Sequence, residues 1–430
     1  MEGVLQVLRE VLVSYNWEED ALLRAKSSFK QSYKAQLSSL EGATEDKLIR
    51  SLLASNDNNN NNNNGNGGGD VRFQAPTLDE IERVRLEDAK LAVMSQLVPG
   101  NIEMSMVGDF GDTKGFGKVM DLVLEYLGSI PEDTNLEHRD AAAAAALSSS
   151  SDDSDSAALS NSDVAVAPVQ VHVAAKGEYV HLELEDPDPR AVAYVAGKCP
   201  NKWGFFLSDD DSNKPKRRSI QDLESIDSGR RSHPFFGAAC LLIINEIINR
   251  RLFSIVREQR QLTYDANFSL TNFETLQGGW FLVTVTASKA NANKALKACL
   301  ETLESIVARG GVGSDNLSSA KRVVINRHEG GLQSLKGYVE ALGGLQMDSI
   351  PLKGPKCLTE FHKVVEGVTV KDVQVVLKEC FDFGSTTKLF TAIGETVIPD
   401  NSPSESESDE LLLTRSSPVI GMKRGGALRD

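Results

Sequence analysis

The feature that most constrains the fold of this chain is a long apolar helix that runs directly into a strand. Apolar residues recur at helical spacing from Phe236 to Ile248, and Pro234 before them suits the first turn of a helix. The segment from Tyr264 to Leu270 then alternates between apolar and polar side chains, which predicts a strand. The change of period predicts a helix-to-strand corner at residues 251–265.

Size and composition are those of an ordinary globular protein, and they argue against several classes of protein. The chain has 430 residues, enough for two or three domains, of which 40% are hydrophobic and 25% charged. Its net charge of −15 repels phosphates, so nucleic-acid binding is not expected. No apolar run reaches the roughly 18 residues of a membrane span. The five cysteines form no CxxC pair, which predicts core thiols and a reducing compartment.

The sequence predicts two unequal domains. Residues 1–130 are interpreted as a partial domain that is helical over residues 1–54 and carries an Asn/Gly insertion at 56–70. Residues 131–168 are rich in Ala, Ser and Asp and predict an acidic linker. Residues 169–400 are interpreted as a complete domain, and the Ser/Glu-rich tail at 401–430 is expected to be disordered.

An internal repeat supports this division. In each half a capping box opens a helix, and a strand follows that ends in Gly and an acidic residue. The two copies are residues 77–109, with the strand at 102–107, and residues 369–395. The second ending closes a longer unit than the first, so part of the first repeat is expected to be missing at the N-terminus.

Several catalytic motifs are absent from the sequence. Six histidines are present, but they form neither HExxH nor HxxEH, so no metal site is predicted from this chain alone. There is no GxSxG motif for a serine hydrolase. The segment 111–118 has only a faint likeness to a phosphate loop, because its spacing is one residue too long and Val119 follows its lysine.

The corner itself carries the candidate chemistry. Arg257 and Tyr264 lie seven residues apart across it, and both side chains carry hydrogen-bond donors. Aimed into a cleft, they could bind a peptide carbonyl and the oxyanion formed when water attacks it. The next strand, which contains Phe268, could offer an edge to an extended substrate. The alternative is structural, with Arg257 paired to a carboxylate such as Glu258 or Asp265 and Tyr264 half-buried.

The corner resembles a motif of the pitrilysin/insulinase family of zinc metallopeptidases. Its pattern is R-L-F-x-x-V-R-E-x-x-x-L-x-Y, filled here by Arg251, Leu252, Phe253, Val256, Arg257, Glu258, Leu262 and Tyr264. The resemblance is greatest to large plastid members with four homologous domains. It implies an α+β fold of antiparallel sheets with helices packed on one face, in one partial and one complete repeat.

The resemblance also implies a function. The chain would be the substrate-binding C-terminal half of a zinc metalloendopeptidase that removes transit peptides from precursor proteins in the chloroplast stroma. Arg257 and Tyr264 would be its catalytic donors and, with Phe268, its substrate-binding residues. Zinc would be bound by a catalytic N-terminal half or partner chain, so this chain would be inactive alone. No nucleic-acid or membrane partner is implied. The alternative is a non-catalytic binding or assembly subunit beside a catalytic chain.

Overall fold

A computed structural model describes most of the chain. The described residues are 1–53, 71–130 and 179–397, apart from gaps at 15, 95–96, 98–101, 187, 208–216, 224–225, 227, 275, 309, 344–353, 355, 382 and 385–387. The predicted Asn/Gly insertion at 56–70, the linker at 131–168 and the tail at 401–430 lie outside them. The division into two domains therefore stays a prediction.

The described part of the N-terminal region is helical, as predicted. It contains α1 (Glu2–Val13), α2 (Glu19–Ser38), α3 (Leu40–Leu53), α4 (Leu78–Arg83), α5 (Leu86–Met94) and α6 (Thr113–Tyr126). The capping box at the start of α4 is confirmed. The Glu80 N–H donates to the Thr77 hydroxyl at 3.3 Å, and the Glu80 carboxylate accepts from the Thr77 N–H at 2.7 Å.

The predicted strand at residues 102–107 is wrong. These residues form neither helix nor strand. A strand needs a neighbour to pair its backbone groups, and no strand among the described residues lies beside this segment. The local pattern was compatible with a strand, but the pairing that would stabilise one is absent from the described part of the chain.

The C-terminal region is built on one five-stranded sheet. Its strands, in spatial order, are β1 (Tyr179–Glu185), β7 (Phe390–Val397), β2 (Ala191–Cys199), β6 (Gly279–Ala287) and β5 (Asp265–Leu270). All neighbouring pairs are antiparallel except β1 and β7, which are parallel. The short strands β3 (Phe205–Leu207) and β4 (Arg217–Ser219) form a separate antiparallel pair. The α+β class is confirmed.

Helices of the C-terminal region cover one face of the sheet or pack against the helices that do so. These are α7 (Ser228–Arg231), α8 (Phe236–Leu252), α9 (Ala292–Val307), α10 (Ser314–Gly331), α11 (Leu335–Leu342), α12 (Lys356–Thr359), α13 (Phe361–Gly367) and α14 (Val370–Cys380). The central helix is α8, whose buried isoleucines belong to the main core and which packs against β5, while α9 packs against β2 and β6. All five cysteines are buried thiols outside any disulfide, which confirms the prediction of core thiols.

The opposite face of the sheet is partly covered by α3 from the N-terminal region. Leu40, Leu48 and Leu52 are fully buried there against Tyr194 and other residues of β2, β6 and β7. Gly394 lies under the helix, and a Cβ there would come within 2.1 Å of the Thr44 hydroxyl oxygen. The sequence suggested that Gly394 closes the last strand. In the structure β7 continues to Val397, so Gly394 lies inside the strand.

Candidate functional site

The corner between α8 and β5 has two rare backbone conformations. The α-helix passes into a π-helical turn, Phe253–Gln259, and Gln261 then has a φ of 52°. A left-handed conformation costs a residue with a Cβ about 1–2 kcal/mol, and such strain, like π-turns, is concentrated at functional sites. The chain is held beyond the turn because the Asp265 N–H donates to the Thr263 hydroxyl at 3.0 Å. The corner is thus an ordered feature.

Arg257 and Tyr264 are both exposed on this corner. The Tyr264 side chain is 83% exposed, and the Arg257 guanidinium carbon lies 4.9 Å from the centre of the Phe253 ring. Among the described residues no carboxylate lies within ion-pair distance of Arg257, whereas Arg250, Arg260 and Arg327 are each paired with a glutamate. The structural alternative, an Arg257 ion pair and a half-buried tyrosine, does not match this geometry.

Phe268 has a different place from the one predicted. Its side chain is only 1% exposed and packs in the core, with its ring centre 5.6 Å from that of Phe281. The alternation of β5 turns Phe268 towards the helices, while Asn267 and Ser269 face solvent. A substrate therefore cannot touch the Phe268 side chain in this structure, and the residue is corrected from a substrate contact to a core residue.

β5 is an edge strand whose centre is closed by one side chain. Asn249 of α8 accepts a hydrogen bond from the Phe268 N–H at 2.8 Å and donates one to the Phe268 carbonyl at 2.9 Å. Alternate residues of β5 pair with β6, so these Phe268 groups face the outer edge. An added strand would use the same two groups. Asn249 therefore takes the place of a neighbouring strand at the middle of the edge.

A groove of about 520 Å³ follows this edge between α8 and β5, and we call it the edge groove. It is lined by Leu241 and Leu242 from α8 and by five asparagines, at positions 201, 245, 249, 267 and 272. Leu242 is 40% exposed on a helix that is otherwise largely buried. Arg257 and Tyr264 do not line the groove. They lie beyond it, where α8 ends and β5 begins.

The asparagines of the groove were missed by the sequence analysis, although a signal was present. Asn245 and Asn249 stand four residues apart among isoleucines, so they share one face of an apolar helix. A buried or half-buried amide on such a face must find hydrogen-bond partners. Asn249 finds them on β5, a contact that only the packing of α8 against that strand could reveal.

The described residues do not fit a zinc ion. They contain no group of three or more His, Cys, Asp or Glu side chains close enough to hold a metal. The described histidines are scattered, and His328 is stacked on the ring of Phe361 at 3.7 Å. In addition, no described helix combines the length and apolar character of a membrane span.

Comparison with known families decides where the chain belongs. Residues 83–324, more than half of the chain, match the family described as the peptidase M16 inactive domain. The chain is a member of this M16 family. The match confirms the pitrilysin/insulinase resemblance, and it includes the corner with Arg257 and Tyr264. Homology therefore connects the chain to the non-catalytic part of a peptidase.

Its sequence relatives include stromal processing peptidases of chloroplasts. The chain is 30% identical to the enzyme of Pisum sativum over 384 residues, which is 86% of this chain and 27% of the relative. It is 30% identical to that of Oryza sativa subsp. indica over 425 residues, or 96% of this chain and 30% of the relative. This M16 chain thus spans less than a third of the length of these relatives.

Solved structures show the same fold. An M16 inactive domain from Pseudomonas fluorescens aligns with a TM-score of 0.59 at 17% identity, covering 92% of this chain and 75% of that one. A protease from Helicobacter pylori aligns with a TM-score of 0.60 at 14% identity, covering 91% and 76%. The ferredoxin protease FusC, solved in complex with Arabidopsis ferredoxin, aligns with a TM-score of 0.52 at 13% identity, covering 92% and 34%.

Proposed function

We propose that this M16 chain is the substrate-binding, non-catalytic half of a zinc metalloendopeptidase that processes precursor proteins. The observation that carries the proposal is the state of Arg257 and Tyr264. Both lie on a strained corner next to an edge strand, and their donors are not engaged in an ion pair or hydrogen bond with a described residue. Such donors are available to a polypeptide carbonyl.

In this proposal the two side chains hold and polarise one carbonyl of an extended polypeptide. The guanidinium lies over the Phe253 ring, with its carbon 4.9 Å from the ring centre, and this cation–π contact favours that position of the side chain. The phenol adds a second donor from the start of β5. Zinc would belong to a catalytic half outside this chain, because the described residues do not fit the metal. No bond-breaking step is therefore assigned to this chain alone.

The proposed substrates are the transit-peptide regions of imported precursors, and the proposed compartment is the chloroplast stroma. Both follow from the names of the relatives, which are chloroplastic stromal processing peptidases. The complex of FusC with ferredoxin supports a polypeptide as the ligand, since FusC shares this fold. A precursor should bind the purified chain more tightly than its mature form does. Equal binding, or absence of the protein from stromal fractions in immunoblots, would count against this assignment.

We call Arg257 and Tyr264 together the clamp, and measurements of precursor binding test it directly. Tyr264→Phe and Arg257→Gln should each weaken precursor binding, measured by fluorescence anisotropy, by about twofold to tenfold, the value of one hydrogen bond. Arg250→Gln is the matched control, because Arg250 is already paired with Glu246 at 3.0 Å and should have little effect. With a catalytic half added, loss of either donor should lower kcat about a hundredfold. Zinc-dependent cleavage by the isolated chain would refute the proposal.

The second candidate is an assembly subunit, and the surface of α1 and α6 favours it. Val4, Val7 and Val11 form an exposed stripe on α1, and Phe116 and Leu124 are exposed on α6, which packs against α1. Apolar stripes of this kind indicate contact with another protein surface. If Tyr264→Phe and Arg257→Gln left precursor binding unchanged while Val7→Asp prevented association with a catalytic half, assembly would be the preferred function.

A further inference from the structure

The edge groove continues into a second cavity that the proposed clamp does not use. This cavity, the aromatic pocket, has a volume of about 260 Å³ and shares Lys202, Ala238, Leu242 and Asn272 with the edge groove. Because the two cavities have walls in common, they form one depression. It runs past the end of β5 that lies opposite Tyr264.

Four of the thirteen residues that line the aromatic pocket carry rings: Trp203, Phe235, His328 and Phe361. His328 stacks on Phe361 with ring centres 3.7 Å apart, and Phe235 packs at 5.2 Å from Phe361 and 6.3 Å from Trp203. Burial lowers the pKa of the His328 imidazole, so this wall is uncharged at neutral pH. The lining also contains the polar residues Lys202, Asn272 and Glu340, and Lys202 lies over the Trp203 ring at 4.9 Å. The interior thus suits an apolar group that enters past a polar edge.

The size of the pocket limits its occupant. Binding sites for small molecules usually enclose about 300–1,000 Å³. At about 260 Å³ the aromatic pocket falls below that range and matches a single large side chain better than a cofactor. A side chain attached to a polypeptide is the natural occupant, because the pocket opens into a groove along a strand edge.

The edge of β5 is suited to an extended chain. The outward backbone groups of Ala266 and Leu270 have no hydrogen bond to any described residue, whereas those of Phe268 between them are occupied by Asn249. A polypeptide could therefore pair at both ends of β5 and cross its centre over the Asn249 amide. At about 3.3 Å per residue, the eight steps along the chain from Tyr264 to Asn272 span roughly 26 Å.

We propose that the aromatic pocket is an anchoring subsite of the edge groove, and that it takes one large apolar side chain of an extended polypeptide. The inference rests on the proposed function for the far end of the polypeptide, which would reach Arg257 and Tyr264. The anchor would lie about eight residues along the polypeptide from the carbonyl held there. The chain would therefore select substrates by the spacing between an apolar residue and the bound carbonyl.

The test uses labelled peptides and the full chain. The probes are proline-free peptides of about 12 residues made of Ser, Thr and Asn, with one Phe near either end, and an all-polar version. The better of the two Phe peptides should bind about tenfold more tightly than the all-polar peptide, the effect of burying most of one aromatic side chain. If neither Phe peptide bound more tightly than the all-polar peptide, the proposal would be overturned. This holds both if the chain itself fills the pocket and if the peptide does not reach it.

Variants then locate the preference. Leu242→Asn, at the junction of the two cavities, should reduce the tenfold preference to about one, measured as the ratio of the affinities of the Phe peptide and the all-polar peptide for the same variant. Leu242→Met should retain the preference, which shows that the change acts through the pocket and not through folding. Leu335→Asn is the control, because Leu335 is exposed on α11 outside the pocket. A preference that persisted in Leu242→Asn would overturn the inference.

The two proposals fail in distinguishable ways. Arg257→Gln should weaken binding of all three peptides by the same factor and leave the Phe preference intact. If Arg257→Gln had no effect while Leu242→Asn removed the preference, the clamp would be rejected and the pocket retained. If the reverse were found, the pocket would be rejected and the clamp retained.

Discussion

Removing the amide of Asn249 should loosen the edge of β5. In Asn249→Ala, the Phe268 N–H loses its acceptor at 2.8 Å and the Phe268 carbonyl loses its donor at 2.9 Å. Each hydrogen bond contributes about 1 kcal/mol net, so the free energy of unfolding should fall by about 2 kcal/mol. The loss should not approach the full penalty of two buried unpaired groups, because the edge groove admits water to Phe268.

Two measurements check this prediction. Urea unfolding should give a lower midpoint with an unchanged slope, since the surface exposed on unfolding is the same. Hydrogen exchange should show that the Phe268 amide, protected in the native protein, exchanges faster in Asn249→Ala. Asn249→Leu restores volume without hydrogen bonds and should behave like the alanine variant, which separates bonding from packing.

Asn267→Ala is the matched control for the edge. Asn267 lies on the same strand and lines the same groove, but its side chain is exposed. Asn267→Ala should change the free energy of unfolding by less than about 0.5 kcal/mol. If Asn249→Ala were equally mild, or if exchange at Phe268 stayed as slow as in the native protein, the reasoning that Asn249 substitutes for a neighbouring strand would be refuted.

Other expectations concern the core and its titrating groups. Leu48→Ala should destabilise the protein by about 2–5 kcal/mol in urea unfolding, because Leu48 is fully buried between α3 and the sheet, whereas the exposed Val7→Ala should be nearly neutral. Burial raises the pKa of the Cys199 and Cys299 thiols to about 12, so the five buried thiols should resist alkylation at pH 8 until the chain unfolds. Burial lowers the pKa of His328 below its unfolded value of 6.5, so its contribution to stability is complete above pH 6.5 and is lost as the pH falls through the folded pKa. The drop in Tm between pH 7 and pH 5 should therefore be smaller in His328→Phe, and an equal drop would contradict this.

Much of the secondary structure could be predicted because its signals are local. The apolar period of α8, the alternation of β5 and the capping boxes at Thr77 and Thr369 all depend on residues a few positions apart. The strand expected at residues 102–107 shows the limit of such signals. A strand is stabilised by a partner that is distant in sequence, and no local pattern reveals whether the partner is present.

The candidate site was predicted in part for the same reason. Arg257 and Tyr264 stood out because an uncommon spacing of chemically distinct residues is visible in the sequence itself. The position of Phe268 could not be predicted from the sequence. The alternation of apolar and polar residues shows that β5 has two different faces, but it does not show what each face contacts. The role of Asn249 was hidden as well, since its partner on β5 lies 19 residues away and is reached only by packing.

The amino-acid sequence alone determined the local helices and strands and the two candidate donors, because these depend on short-range periodicity and on residue chemistry, and the resemblance of its corner to a known family implied the α+β class. Only the tertiary structure decided that α3 covers the second face of the sheet, that Phe268 belongs to the core, and that Asn249 closes an edge beside an open groove. Those features arise when segments far apart in sequence exclude water from one another, and the choice of partner is made by shape and burial across the whole fold.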